Sequence, residues 1–154
     1  MREQYIKRAI HIADESIDAG GGPFGAVIVK DNEIIAEASN RVTMENDPTA
    51  HAEVIAIRKA GAKLGDFDLS DCELYTSCEP CPMCLGAIYW ARISAVWFSS
   101  DRQGAERAGF DDSLIYEELS RPVESRKLRM VRLQDPAADE VFSKWISKTD
   151  KTRY

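Results

Sequence analysis

Two short segments hold the residues able to do chemistry: Pro48-Thr49-Ala50-His51-Ala52-Glu53 and Cys78-Glu79-Pro80-Cys81-Pro82-Met83-Cys84. Imidazole and thiolate are the ligands zinc prefers, and the number of protein donors separates two kinds of site. Four donors close a structural site, whereas three leave a tetrahedral position for water. His51, Cys81 and Cys84 make three. A water held by zinc has a pKa of about 7, so hydroxide is available at neutral pH. A carboxylate beside that water, here Glu53, can take its proton and pass it to a substrate and its leaving group.

These side chains must be brought together by elements lying 30 residues apart, from His51 to Cys81. Cys81 and Cys84 are one helical turn apart, so both sulfurs can face one point. A helix N-terminus favours thiolates through its free N–H groups and macrodipole. Two other readings of the cluster stay open: Cys78 as a fourth ligand closing a structural site, or Cys78 and Cys81 as a redox pair in a C-x-x-C arrangement. Cys72 reads as a half-buried thiol and His11 as a surface or packing residue on the first helix.

Tyr5, Ile6, Ala9, Ile10, Ala13 and Ile17 recur at three- and four-residue intervals, which predicts a helix over 4–18. Gly20-Gly21-Gly22-Pro23 ends it. Apolar runs predict strands at 24–29 and 33–38, with Asp31-Asn32 as a tight turn between them. A polar loop over 39–49 and a helix over 50–60, ended by Gly61, follow. Further strands are expected at 73–77 and 93–98, with a buried helix over 81–91 between them. One or two short helices, broken at Gly104 and Gly109, cover 101–120. Alternation over 128–133 predicts an edge strand, and Asp135-Pro136 opens a last helix. Helices alternating with five strands argue one α/β domain over 1–154: three layers, α/β/α, around a mixed sheet.

At 154 residues the chain has room for one ordinary domain. Its 44% hydrophobic and 30% charged residues exclude a disordered polymer. No apolar run approaches the ~20 residues that cross a bilayer, and the N-terminal stretch has no secretory pattern. Clustered cysteines in such a chain indicate a reducing compartment, and a cytoplasmic location is expected. The net charge of −6 argues against nucleic acid or an anionic membrane as partner. That charge is unevenly spread. Residues 1–120 carry 11 basic and 21 acidic side chains, whereas 121–154 carry 9 and 5. A basic tail of this kind suits docking on an acidic body, its own or that of a second copy.

The order H-x-E, then P-C-x-x-C, is the pattern of zinc nucleobase deaminases, in which the glutamate is an acid/base and not a ligand. On these residues, and on Gly21–Val29, Asn46–Glu53, Tyr75–Cys84, Gly86–Arg92 and Ala108–Ser113, the chain resembles the cytidine deaminase-like superfamily. Gly109-Phe110-Asp111-Asp112-Ser113 and the terminal Tyr154 resemble its small, zinc-dependent bacterial guanine deaminases in particular. The resemblance implies one Zn²⁺ per subunit and hydrolysis of guanine to xanthine and ammonia in purine catabolism or salvage. It further implies that Asn40 bonds the purine edge, Phe24 stacks on the ring, Asp112 meets guanine N–H groups, and Tyr154 closes the pocket. A homodimer whose C-terminal segment, 136–154, crosses to the partner is also implied. Guanine offers acceptors at O6 and N7 and donors at N1 and the 2-amino group, which an amide and a carboxylate can meet. The competing expectations are a loop-structuring Asn40, an Asp112 that caps the next helix and a Phe24 that belongs to the core. Adenosine in tRNA, cytosine, a pteridine or a triazine are the competing substrates. A non-catalytic zinc module is the competing class.

Overall fold

In the computed structural model, which describes residues 2–154, helix α1 (Arg2–Asp18) turns Tyr5, Ala9, Ile12, Ala13 and Ser16 inward at helical spacing. Strand β1 (Gly25–Lys30) is covered on both faces, as its unbroken apolar run requires. Val27 and Val29 pack on Tyr5, Ala9 and Ile12 of α1, with Tyr75. Ala26 and Ile28 face the opposite side. Asp31 and Asn32, at φ 51° and 64°, form the tight turn into β2 (Glu33–Ser39). Ile28 pairs with Ala36 and Val29 with Ile34, so Ile35 is an extra residue on β2 and makes a bulge.

After a one-turn helix, α2 (Val42–Glu45), helix α3 (Ala52–Leu64) lies on the second face of the sheet. Its Ala52, Ala56 and Ala60 meet Ala26, Ala36 and Ala38. Small residues on both sides let helix and strands approach closely. Strand β3 (Glu73–Cys78), helix α4 (Pro82–Trp90) and strand β4 (Ala95–Ser100) follow. The sheet order is β2-β1-β3-β4. β1 runs antiparallel to both β2 and β3, and β3 parallel to β4. Helix α1 thus covers one face, and α3 with Ile88 of α4 covers the other, giving the three-layer α/β/α arrangement. Gly25 sets the fit of α1: a Cβ there would lie 2.2 Å from the carbonyl oxygen of Ala9 and 2.7 Å from Ala13 N.

Two compact units are present, one ending at Ser113 and one from Leu114 to Tyr154. Helix α5 (Arg102–Arg107) belongs to the first, and helix α6 (Ser113–Ser120) begins at its end. In the second, a short 3-10 turn (Val123–Ser125) precedes α7 (Pro136–Ser147), whose Asp135 cap accepts a hydrogen bond from Ala137 N at 2.9 Å. Glu118 holds the turn by accepting from Lys127 N. No residue from 114 onward is buried.

Several expectations are corrected. The sheet has four strands among the described residues, because 128–133 forms no strand. Leu128 and Leu133 are 71% and 89% exposed, so alternation there reflects no buried face. Helix α3 runs through Gly61 to Leu64, and Gly65, at φ 68°, is the residue that ends it by donating its N–H to Gly61 O. Gly104 lies inside α5, where a Cβ would collide with Ser100 Oγ; Gly109, at φ 93°, is the break. The 39–49 loop contains α2.

Candidate active site

His51 and Cys81 occupy the same local position, the N-cap of a helix. His51 has extended dihedrals, φ −74° and ψ 151°, and its side chain makes no capping bond. Its carbonyl already accepts from Ile55 N, so the imidazole is free to turn toward α4. Cys81 precedes Pro82, which at the first helical position gives up no hydrogen bond. Cys81 Sγ accepts from Cys84 N, which brings the two cysteines to one side of the first turn. His51 Nδ1 then lies 3.5 Å from Cys81 Sγ and 3.4 Å from Cys84 Sγ.

The donor atoms of His51, Cys81 and Cys84 all lie within 4.8 Å of one another. Zn–S of about 2.3 Å and Zn–N of about 2.1 Å at a tetrahedral angle require an N···S separation of about 3.6 Å. The observed spacing matches that, and one nitrogen with two soft sulfurs is a zinc-type donor set. Cys78 is not among the donors. Its Sγ donates to the carbonyl of Asp101 at 3.6 Å, and burial pushes its thiol up to about 11. The cluster therefore has three protein ligands among the described residues, the open count.

Glu53, on the first turn of α3, is 4% exposed. Thr76 Oγ1 donates to its Oε1 at 3.1 Å, and Cys84 Sγ donates to its Oε2 at 3.4 Å. Burial pushes this carboxyl above the usual range, against the donors from Cys84 and Thr76. The two thiols also diverge. The neighbouring Cys84 side chain, then the His51 ring and the Cys84 backbone N–H that donates to Cys81 Sγ, draw the Cys81 thiol down to about 4, and the thiolate it becomes, with burial and Glu53, drives Cys84 up. Two thiols and a carboxyl this close cannot all carry charge without a cation. A divalent ion changes that balance, since it holds thiolates in their deprotonated form.

Around this centre the structure places the remaining expected residues as follows. Asn40, 6% exposed, is held through its backbone by Phe24 O and Ser16 Oγ, and its Oδ1 accepts from Val42 N at 3.2 Å. The amide NH₂ is thus the group left to meet a ligand. Gly22 presses on this side chain, since a Cβ there would sit 3.0 Å from Asn40 Cγ and Oδ1. Phe24 is half-buried against the core and meets Phe110 edge-on, with centroids 4.9 Å apart. Phe24 thus packs on the core, as the competing expectation had it, with the Phe110 ring as its other neighbour. Asp111 caps the start of α6 by accepting from Ser113 N and Oγ, so Asp112 is relieved of that task. Burial raises the Asp112 carboxyl, Arg102 at 3.9 Å opposes this, and the negative charge of Cys81 adds to the rise. Tyr154 lies in the C-terminal unit with its side chain exposed. The contribution missed from sequence is Thr76, whose signal was a hydroxyl in an otherwise apolar strand face.

A sequence profile described as the cytidine and deoxycytidylate deaminase zinc-binding region matches residues 1–100, the stretch holding every element of this centre. The chain belongs to the cytidine and deoxycytidylate deaminase family. Family members therefore supply the comparison. The guanine deaminase of Bacillus subtilis is 54% identical over 153 residues, 99% of this chain and 98% of that one. Its X-ray structure superposes with a TM-score of 0.96 over the same shares. A tRNA-specific adenosine deaminase of Aquifex aeolicus is 44% identical over 99 residues, 64% of this chain and 66% of its own length. The structure of a guanine deaminase from Nitrosomonas europaea is 34% identical, with a TM-score of 0.67 over 70% of this chain and 63% of that one. In this family the centre is a zinc site, and the protein is a zinc-dependent deaminase.

Proposed function

We propose that the protein hydrolyses guanine to xanthine and ammonia, with purine breakdown or salvage as its setting. The observation that carries the chemistry is the buried Glu53 carboxylate, fixed beside three metal donors without being one of them. The choice of base is supported by the likeness to the Bacillus subtilis guanine deaminase, which spans 99% of the chain and so continues past residue 100, where the family profile ends.

His51, Cys81 and Cys84 hold the zinc, which supplies the Lewis acid that makes a water nucleophilic at neutral pH. Glu53 takes the first proton of the water that attacks C2 and delivers it to N3, then takes the second from the hydroxyl so added and gives it to the departing amine as the C–N bond breaks and the C2 carbonyl forms. Its Oε2, on the side of Cys84, is the oxygen placed for these transfers. Asn40 donates its NH₂ to the acceptors on the purine edge. Asp112 accepts from the N–H groups at N1 and the 2-amino position. A site that bonds these groups rejects bases lacking them far better than an apolar pocket would. Phe24, with Phe110 against its edge, offers a ring face for stacking. Ligand thiols of this kind need a reducing compartment, which is the cytoplasm.

The working unit we propose is a homodimer in which 136–154 crosses to the partner and Tyr154 closes the pocket. Supporting this, α7 leaves Val141, Phe142 and Ile146 between 66% and 72% exposed, an apolar face that a second copy would cover. The basic excess of 121–154 suits an acidic body. Deleting residues 150–154 is expected to lower turnover, and full activity in the truncated protein would refute the closure.

Steady-state ammonia release from zinc-replete protein tests the main reading, with guanine, adenine, cytosine and an anticodon stem-loop RNA side by side. Turnover of guanine is the expected result. Turnover of another base alone would overturn the assignment of Asn40 and Asp112, and silence on all four would favour a non-catalytic zinc module.

A further inference from the structure

Strand β3 alternates cleanly. Tyr75 faces α1, while Leu74, Thr76 and Cys78 share the face that meets α3 and α4. Thr76 breaks the apolar character of that face and is fully buried, at 0% exposure. Valine has nearly the same shape and an equal liking for strands. A buried hydroxyl costs free energy unless it is bonded. Its bond here is to Glu53, with Oγ1 donating to Oε1 at 3.1 Å.

We propose that Thr76 is a positioning residue for proton transfer: by clamping Oε1 of Glu53, it fixes Oε2 toward the cluster of His51, Cys81 and Cys84. This rests on the reading of Glu53 as the proton carrier. The geometry divides the carboxylate between two anchors, Thr76 on one oxygen and Cys84 on the other. The two anchors differ in rigidity. Thr76 pairs with Ala26 on one side and Phe98 on the other, so its backbone is held within the sheet, and a β-branched side chain has little χ1 freedom. The terminal torsion of a glutamate, by contrast, is broad and soft.

The test compares zinc-loaded T76V, T76S and T76A with the wild type, in kinetics and in crystal structures of the same preparations. T76V removes the hydroxyl and keeps the volume. We expect its kcat to fall roughly 10–100-fold, the usual cost of removing an outer partner at a metal site. KM and zinc stoichiometry stay at the wild-type values. T76S, which restores the hydroxyl, recovers most of kcat. In T76V the Glu53 carboxylate adopts more than one orientation, and in T76S it keeps one. If T76V does not fold, the contrast of T76S with T76A isolates the hydroxyl in the same way. A wild-type kcat in the hydroxyl-free variant, or a Glu53 carboxylate unmoved by loss of the hydroxyl, overturns the proposal. Should the wild type release no ammonia from guanine, the reading of function fails, and the orientation of Glu53 in the variants still decides the role of Thr76.

Discussion

Replacing Glu53 by glutamine separates proton transfer from everything else the residue does. The amide keeps the size of the carboxyl. Its carbonyl can still accept from Thr76 Oγ1, and its NH₂ can face Cys84, so both anchors at 3.1 and 3.4 Å survive. The three metal donors are untouched, and zinc content should stay at the wild-type level. What disappears is the ability to hold a proton and release it. A positioned general acid–base group contributes about 10²–10⁴ in rate, which is roughly 2.7–5.4 kcal/mol of barrier. In the proposed mechanism one carboxyl serves both the ring nitrogen and the leaving amine, so we expect a kcat loss near the upper end, ~10⁴-fold. The assay is ammonia release on guanine with zinc measured on the same sample. A kcat within tenfold of the wild type, or loss of zinc from E53Q, would refute the assignment. Stability adds a second readout. Burial raises the folded-state pKa of Glu53, so its charge costs stability above the ordinary carboxylate range and nothing below it. Metal-free E53Q should therefore unfold at a higher temperature than the metal-free wild type at pH 7, and the gap should close as pH falls toward the ordinary carboxylate range.

Zinc binding must expel protons from Cys84 and His51, whose pKa values the neighbouring Cys81 raises, so zinc affinity should weaken as pH falls; a chelator competition series across pH measures this, and a flat profile would contradict it. C81S should lose zinc and activity together. G25A should cost roughly 1–3 kcal/mol by forcing a methyl into the backbone of α1, or about 2–4 °C in Tm per kcal/mol, with zinc content unchanged. Asn40 to Ala or Asp should lower kcat/KM for guanine by about 1–3 kcal/mol, roughly 5–150-fold, since both remove the donor NH₂.

The grouping of His51, Cys81 and Cys84, with Glu53 beside it, was legible because each half is local: His51 and Glu53 are two residues apart and Cys81 and Cys84 three, each pair at a helix start that fixes which way the side chains point. The Asp31-Asn32 turn and the doubly covered β1 were legible for the same reason, each being dictated by its own few residues. What the sequence hid depends on partners far along the chain. Residues 128–133 alternate as a strand would, yet a strand needs an edge to pair with, and alternation says nothing about that. Gly61 looked like a helix end because glycine often is one, but the αL conformation that stops α3 falls at Gly65. Thr76 was invisible as a functional residue since its meaning lies in Glu53, 23 positions away. The capping role of Asp111, adjacent to Asp112, shows the same limit at short range: two identical side chains in succession, and only geometry tells which one is spent on the backbone.

The chemistry gathers at one rim of the sheet. The start of β1, the end of β2 at Asn40, the end of β3 and the entrances of α3 and α4 all meet there, because Gly25 pairs with Ser39 and Ala26 with Thr76. The opposite rim carries the Asp31-Asn32 turn and the first residues of β3, anchored by Tyr5 donating to Asn32 O. Two kinds of variation can then accumulate separately. Substitutions at the far rim can adjust how well the scaffold survives without touching the residues gathered at the near rim. A lineage built on this frame can acquire tolerance at one end and use it to absorb change at the other.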